Sequence, residues 1–326
     1  MKSVYVFLLI IFYFSLFPAL GQPSPGKPDF RIVGYYSIKS AMRDDPATVP
    51  LNKLTHVNLY FLNPDTLGNF EQDYSALIPF IQAAHAQKVK VLASIGGGGA
   101  HPYYAALLKE PTRTRFIQDL LSITRQYNLD GIDVDLEGSD IGPDYENFVA
   151  DLAGKLKANK KLITSAIAVF YKDQLSDRAL AQYDFMNVMS YDHTGPWMPE
   201  KPGPHSTFQQ ASDDLDYFGM ERKIPKNKLV LGVPFYGYGF GPLPASPATS
   251  MNYKEIVNTF PGADSADQVG MPGGATMYYN GISTIKKKTA LAKEKASGIM
   301  IWQISGDAPA PASLLDALYQ VGYEKE

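Results

Sequence analysis

Asn128-Leu129-Asp130-Gly131-Ile132-Asp133-Val134-Asp135-Leu136-Glu137-Gly138 is a short apolar run with acids threaded through it. From Ile132 to Glu137 apolar and acidic residues alternate, the period-2 pattern of a β-strand. Asp133, Asp135 and Glu137 then share one face, about 6.5 Å apart along the strand axis, and Ile132, Val134 and Leu136 share the other. Asp130 has the opposite parity at the strand's start and is read as structural. One reading is an edge strand with a solvated acidic face. The sharper one is a row of coupled carboxylates at the C-terminal end of a barrel strand, Glu137 outermost, because stacked acids repel and are costly to desolvate without a purpose.

The rest of the chain supports the barrel. Strand-like runs fall at Arg31–Tyr36, Thr55–Phe61, Lys88–Ser94, Leu129–Leu136, Leu162–Ala168, Phe185–Ser190, Leu229–Val233 and Gly298–Trp302. Helical patterns lie between them at Tyr74–Ala86, Thr112–Tyr127, Tyr145–Ala158, Ser176–Tyr183, Thr207–Phe218, Ile282–Ala296 and Ala312–Tyr319. Eight strands with intervening helices predict an α/β fold, a parallel (β/α)8 TIM barrel in one domain. A doubly wound sheet would bring a Gly-rich phosphate loop after the first strand, and Gly34-Tyr35-Tyr36 is not one. The longest connection joins the seventh and eighth strands. Its part from Tyr238 to Gly281 reads as irregular, with patterns only at Tyr253–Phe260 and Ala275–Tyr279, so a reduced insertion and a shallow groove are expected.

Such a barrel keeps its chemistry at the strand ends. The third strand ends in Ser94-Ile95-Gly96-Gly97-Gly98-Gly99, the sixth in Met189-Ser190-Tyr191-Asp192, the seventh in Pro234-Phe235-Tyr236 and the eighth in Ile301-Trp302-Gln303. Together with Asp130-x-x-Asp133-x-Asp135-x-Glu137 these runs resemble, in order, the SxGG, DxxDxDxE and MxYD motifs and the last-strand Trp of the family 18 glycoside hydrolases, the chitinase-like enzymes. The resemblance covers roughly Arg31 to the C-terminus.

The resemblance implies a mechanism in which the substrate's own 2-acetamido carbonyl attacks the anomeric carbon, an exception to the usual two-carboxylate scheme. Glu137 would be the general acid and then the base, Asp135 would orient the acetamide, and Asp133 would share a proton with Asp135, supported by Ser94. Tyr191 would donate its hydroxyl to the acetamide, Asp192 would bind sugar hydroxyls, and Trp302 would floor the sugar site. Gly97 belongs to the Gly cluster. Tyr35, Phe61, Met189 and Tyr236 are each shared between cleft wall and packing. Trp197 is a platform candidate, and His193 could line the cleft. Leu136 and Gly138 depart from the residues common in the family. They leave open an endo-β-N-acetylglucosaminidase cutting the chitobiose core of N-glycans. A catalytically inactive sugar-binding lectin is the rival of another class; it typically loses the terminal acid, which Glu137 here retains.

The expected partner is therefore a polysaccharide or oligosaccharide containing N-acetylglucosamine. A net charge of −3 with no basic footprint argues against nucleic acid. His56, His85, His101, His193 and His205 lack metal-ligand spacing, so neither metal nor cofactor is expected. Residues 1–21 read as a signal peptide, with Lys2, an apolar Val4–Phe17 and Ala19-Leu20-Gly21 before the cut. Residues 22–29 read as a flexible lead-in, and 30–326 as the catalytic barrel. Export to a periplasm or the medium follows, with no membrane contact after cleavage; a chain without Cys suits that weakly. A monomer is expected.

Overall fold

The computed structural model describes residues 30–70, 72–242 and 248–323. The expected signal peptide and lead-in lie outside them. Among the described residues no helix is long and apolar enough to cross a membrane.

Eight parallel strands close into a barrel: β1 (Arg31–Ser37), β2 (His56–Tyr60), β3 (Lys90–Gly96), β4 (Gly131–Asp135), β5 (Leu162–Ile167), β6 (Phe185–Val188), β7 (Leu229–Pro234) and, last in the chain, Gly298–Trp302. The last strand pairs with β1 and β7 and completes the ring. The (β/α)8 barrel read from the sequence is the fold observed. Its strands are buried on both faces, inward by barrel side chains and outward by helices. Helix Tyr145–Ala158 shows the reason on the outer side, burying Tyr145, Phe148, Val149, Leu152, Ala153 and Leu156 at helical spacing.

The segment after β7 is more ordered than the sequence suggests. β8 (Tyr236–Phe240), β9 (Thr249–Asn252), β10 (Gln268–Gly270) and β11 (Thr276–Tyr278) form an antiparallel sheet in the order β10-β11-β8-β9; Gly298–Trp302 is thus β12. Helix Tyr253–Thr259 packs below, opened by an Asn252–Glu255 capping box. The reading of Tyr238–Gly281 as irregular is corrected here. These strands are three to five residues long, too short for a visible period. β8 also reads Tyr-Gly-Tyr-Gly-Phe, and a Cβ on Gly237 would lie 2.5 Å from the Tyr278 carbonyl oxygen. Close backbone approach therefore takes the place of apolar side chains on one face of the strand.

Candidate active site

The β4 alternation carries its acids into and above the barrel. Asp133 and Asp135 are buried and Glu137, just past the strand, is partly exposed. Leu136 points the other way into the core.

Asp133 sits in a layer supplied by several strands. Its Oδ2 accepts from Tyr35 Oη at 2.6 Å and Ser94 Oγ at 2.7 Å, and its Oδ1 accepts from Thr164 Oγ1 at 2.5 Å. Register explains two of these, since Asp133 is level with Ser94 on β3 and Thr164 on β5. Burial raises the Asp133 carboxyl above its usual range, and the three hydroxyls oppose that shift.

Asp135 is different. Its Oδ1 is buried and has no hydrogen-bond partner among the described residues. Burial, then the charges of Glu137 and Asp133, hold its carboxyl well above the usual range. Such an orphaned acceptor is costly unless something else occupies it. Tyr191 is buried nearby in charge terms, with Asp135 the first charge raising its hydroxyl after burial itself. Among the described residues that hydroxyl has a single, distant hydrogen-bond contact, Met300 Sδ at 4.0 Å.

Glu137 stands at the rim. Burial first, then the charges of Asp192 and Asp140, push its carboxyl up to about 7. It can therefore hold a proton at neutral pH and also release it. Each of the two neighbouring acids is paired with a histidine. His101 donates its backbone N–H to Asp140 Oδ1 at 2.9 Å, and its Nδ1 lies 2.8 Å from Oδ2. His205 Nδ1 lies 3.2 Å from Asp192 Oδ1, which also accepts from the Tyr236 hydroxyl.

An open groove of about 670 Å³ runs along the rim. Glu137, Tyr191, Asp192 and the half-buried Met189 line it, with Phe170, His193 and Trp197. Trp197 is 57% exposed and meets Tyr238 edge-on at 5.7 Å. The structure places Trp302 on the barrel side of the site, half-buried at the end of β12. It packs against Tyr35 at 5.4 Å, Tyr60 at 4.8 Å and Phe61 at 5.9 Å. Gly97 lets Phe61 sit there: its φ is +100° and a Cβ would lie 2.3 Å from the Phe61 ring. Asp130 faces away and accepts from Val91 N–H and Lys90 Nζ at 2.9 Å each.

His205, Asp140, His101 as a paired residue, and Phe170 were not singled out as site residues from the sequence. Asp140 follows Glu137 by three positions and could have been suspected from that. His205 and Phe170 carry no local signal. Among the described residues no group of three or more His, Asp or Glu side chains could hold a metal ion.

Comparison with known proteins gives the same family as the strand-end motifs. The model of "Glycosyl hydrolases family 18" matches residues 31–307. The solved GH18 chitinase ChiB from the chitin utilization locus of Flavobacterium johnsoniae is 34% identical, with a TM-score of 0.81 over 90% of this chain and 94% of that one. "Class V chitinase CHIT5a" of Medicago truncatula is 26% identical across 93% of this chain and 94% of its own length. "Probable chitinase 2" of Drosophila melanogaster is 33% identical over 47% of this chain, and the match spans only 35% of that longer protein. The chain belongs to family 18 of the glycosyl hydrolases.

Proposed function

We propose that this glycoside hydrolase cleaves β-1,4 linkages between N-acetylglucosamine units in chitin or chitooligosaccharides, with retention of configuration and with the substrate's acetamide as nucleophile. The observation that carries the reading is the orphaned, buried Oδ1 of Asp135 beneath a rim acid that titrates near neutrality. A substrate amide N–H is a donor that would satisfy it. Likeness to chitinases over most of their length supports the substrate class.

In this reading Asp135 accepts the acetamide N–H and turns the carbonyl oxygen toward the anomeric carbon. Glu137 gives its proton to the glycosidic oxygen as the bond breaks, the acetamide oxygen bonds to the anomeric carbon, and the leaving sugar departs as an alcohol. The oxazolinium carries one positive charge, which Asp135 offsets while the Tyr191 hydroxyl donates to the acetamide oxygen. Glu137, now a carboxylate, takes a proton from water as the water oxygen adds to the anomeric carbon. The ring opens, restoring the acetamide and the Glu137 acid. Asp133, held by its three hydroxyls, keeps the lower end of the row fixed.

The test is cleavage of chitin oligomers beside analogues with a 2-hydroxyl in place of the acetamide. Only the acetamido substrates should be cut, the β-product should appear first by NMR, and a thiazoline mimic of the oxazolinium should inhibit. Comparable turnover of the 2-hydroxyl analogue, or an α-product first, overturns the mechanism. A high-mannose glycoprotein run in parallel separates the N-glycan reading, and binding without product would indicate a lectin. We further propose that residues 1–21 direct export and that the enzyme acts as a monomer. Intact mass of secreted protein and sedimentation test these two points.

A further inference from the structure

Lys288, on helix Ile282–Lys295, is fully buried. Its Nζ donates to the Ser206 carbonyl oxygen at 2.8 Å, to Ser206 Oγ at 2.7 Å and to Asn280 Oδ1 at 2.7 Å. An ammonium has three protons, and all three are used on neutral acceptors. Among the described residues no carboxylate lies within ion-pair reach of it. The two acids that act on it from a distance, Asp267 and Asp214, are engaged elsewhere. Asp267 accepts from Gly281 N–H at 2.8 Å and Thr284 Oγ1 at 2.6 Å. Asp214 accepts from Ser190 Oγ at 2.6 Å and lies 3.1 Å from His193 Nε2. A buried cation without a touching counter-charge is an expensive way to fill a core.

What Lys288 grips is the neck of a loop. Ser206 Oγ donates to the Ser190 carbonyl oxygen at 2.6 Å, and His193 N–H donates to the His205 carbonyl oxygen at 3.1 Å. Asn280 Nδ2 adds a second bond to the Ser206 carbonyl oxygen at 2.8 Å. Between Ser190 and Ser206 the loop carries Tyr191, Asp192, His193 and Trp197, which line the groove, and the buried His205 that holds Asp192.

We propose that Lys288 is a positioning residue, whose ammonium clamps the neck of the Ser190–Ser206 loop and so sets Tyr191 and Asp192 against the acid row. The inference rests on the function proposed above. Burial lowers the affinity of the ammonium for its proton until it titrates at about 7. A neutral amine has only two protons to donate, so the neck loses a tie as pH rises through neutrality. The other titratable groups facing Lys288 or lying on the loop are Asp214, Asp267, Tyr191, Asp192, His193, Glu200, Lys201 and His205, and these stay the same in all variants below.

The test uses Glu137→Gln protein, whose rim residue cannot titrate, and measures binding of an N-acetylglucosamine oligomer by calorimetry from about pH 5.5 to 9. Affinity should fall about tenfold across neutrality, the scale of one lost charge-assisted hydrogen bond. Adding Asn280→Asp removes the Nδ2 bond to Ser206, which should lower affinity at every pH, but it sets a carboxylate against the ammonium and should move the midpoint of the fall up by about one pH unit or more. Adding Lys288→Met should give weak binding that no longer changes with pH. Because Lys288→Met can unfold the protein, the Asn280→Asp shift is the deciding readout; a purely structural lysine would not produce it. A flat profile in the Glu137→Gln parent, a profile unmoved by Asn280→Asp, or a folded Lys288→Met variant that binds like its parent overturns the inference while leaving the proposed function standing. No oligomer binding at any pH overturns both.

Discussion

Asp133 on β4 and Asp192 just beyond β6 are both acids of the site, and they are held in opposite ways. Asp133 has no exposure and accepts three hydroxyls, all from neighbouring or facing barrel strands. The Asp192 side chain is 33% exposed, and its backbone takes a left-handed φ of +63°. It is held by Tyr236 from the insertion and His205 from its own loop. The strand-borne acid inherits its position from the parallel ladder; the loop-borne acid depends on side chains that must themselves be placed. The acids on and just past β4 should therefore carry the proton transfer and the orientation of the acetamide, and Asp192 should tune binding.

The largest effects are expected on the strand side. Glu137→Gln keeps size but removes the transferable proton, so kcat on a natural oligomer should fall about 10²–10⁴-fold with binding little changed. Asp135→Asn should also fall steeply. The two should part on a chitobioside with a very good leaving group: the first step of Glu137→Gln recovers, because little protonation is needed, whereas Asp135→Asn stays slow, because the internal nucleophile is no longer oriented. An alike response would remove the division of roles. Stability gives an independent check. Burial pushes the folded Glu137 carboxyl up to about 7, above the 4.5 of a free glutamate, so the folded state binds a proton that the unfolded state has released. The contribution is full below about 4.5 and is lost as pH rises through about 7. Glu137→Gln should therefore be more stable than the parent at pH 8, on the order of 1–3 kcal/mol, and the gap should close in acid. A constant gap in denaturant melts at both pH values would contradict the raised titration.

A middle-sized effect should separate the two acids. Tyr35→Phe removes one of the three hydroxyls on Asp133 and should lower kcat about ten- to a hundredfold, matching a loss of about 1–3 kcal/mol for an under-satisfied buried carboxylate. Tyr236→Phe removes one tie from Asp192 and should act mainly on KM. If Tyr236→Phe lowered kcat as far as Tyr35→Phe does, the contrast between strand-borne and loop-borne acids would fail.

The same contrast governs what could be read in the sequence. The barrel strands are legible as short runs rich in apolar residues between helical patterns, and on β4 the period-2 alternation sorts Asp133, Asp135 and Glu137 from Asp130. Ser94 and Gly97 followed from their place at the end of β3. The loop side was far less legible. Asp192 and His205 meet across thirteen residues with no periodic pattern between them, and Lys288 reaches Ser206 across eighty-two. On its helix Lys288 reads as one more surface lysine. The insertion hid its sheet because Gly237 and Gly239 stand where apolar residues would have shown the alternation.

The smallest predicted effect lies at the outer end of the loop. Trp197 is more than half exposed; its ring rests on Gly195, where a Cβ would lie 2.4 Å from it, and on the edge of Tyr238, and it lines the groove. An aromatic face against the apolar face of a sugar ring contributes about 0.5–1.5 kcal/mol. Trp197→Ala should then weaken binding of long oligomers by about two- to tenfold. The loss should fall on KM, because Trp197 makes no contact that changes as the glycosidic bond breaks. A short fluorogenic chitobioside, which need not reach Trp197, should be turned over as before. The measurement is kcat and KM on a dimer-based and a hexamer substrate, side by side. An unchanged KM on the hexamer would mean that the ring does not face sugar. A fall in kcat on the short substrate would mean that Trp197 supports Tyr191 and Asp192 through the loop, so that the ring acts on the reacting groups and not on binding alone.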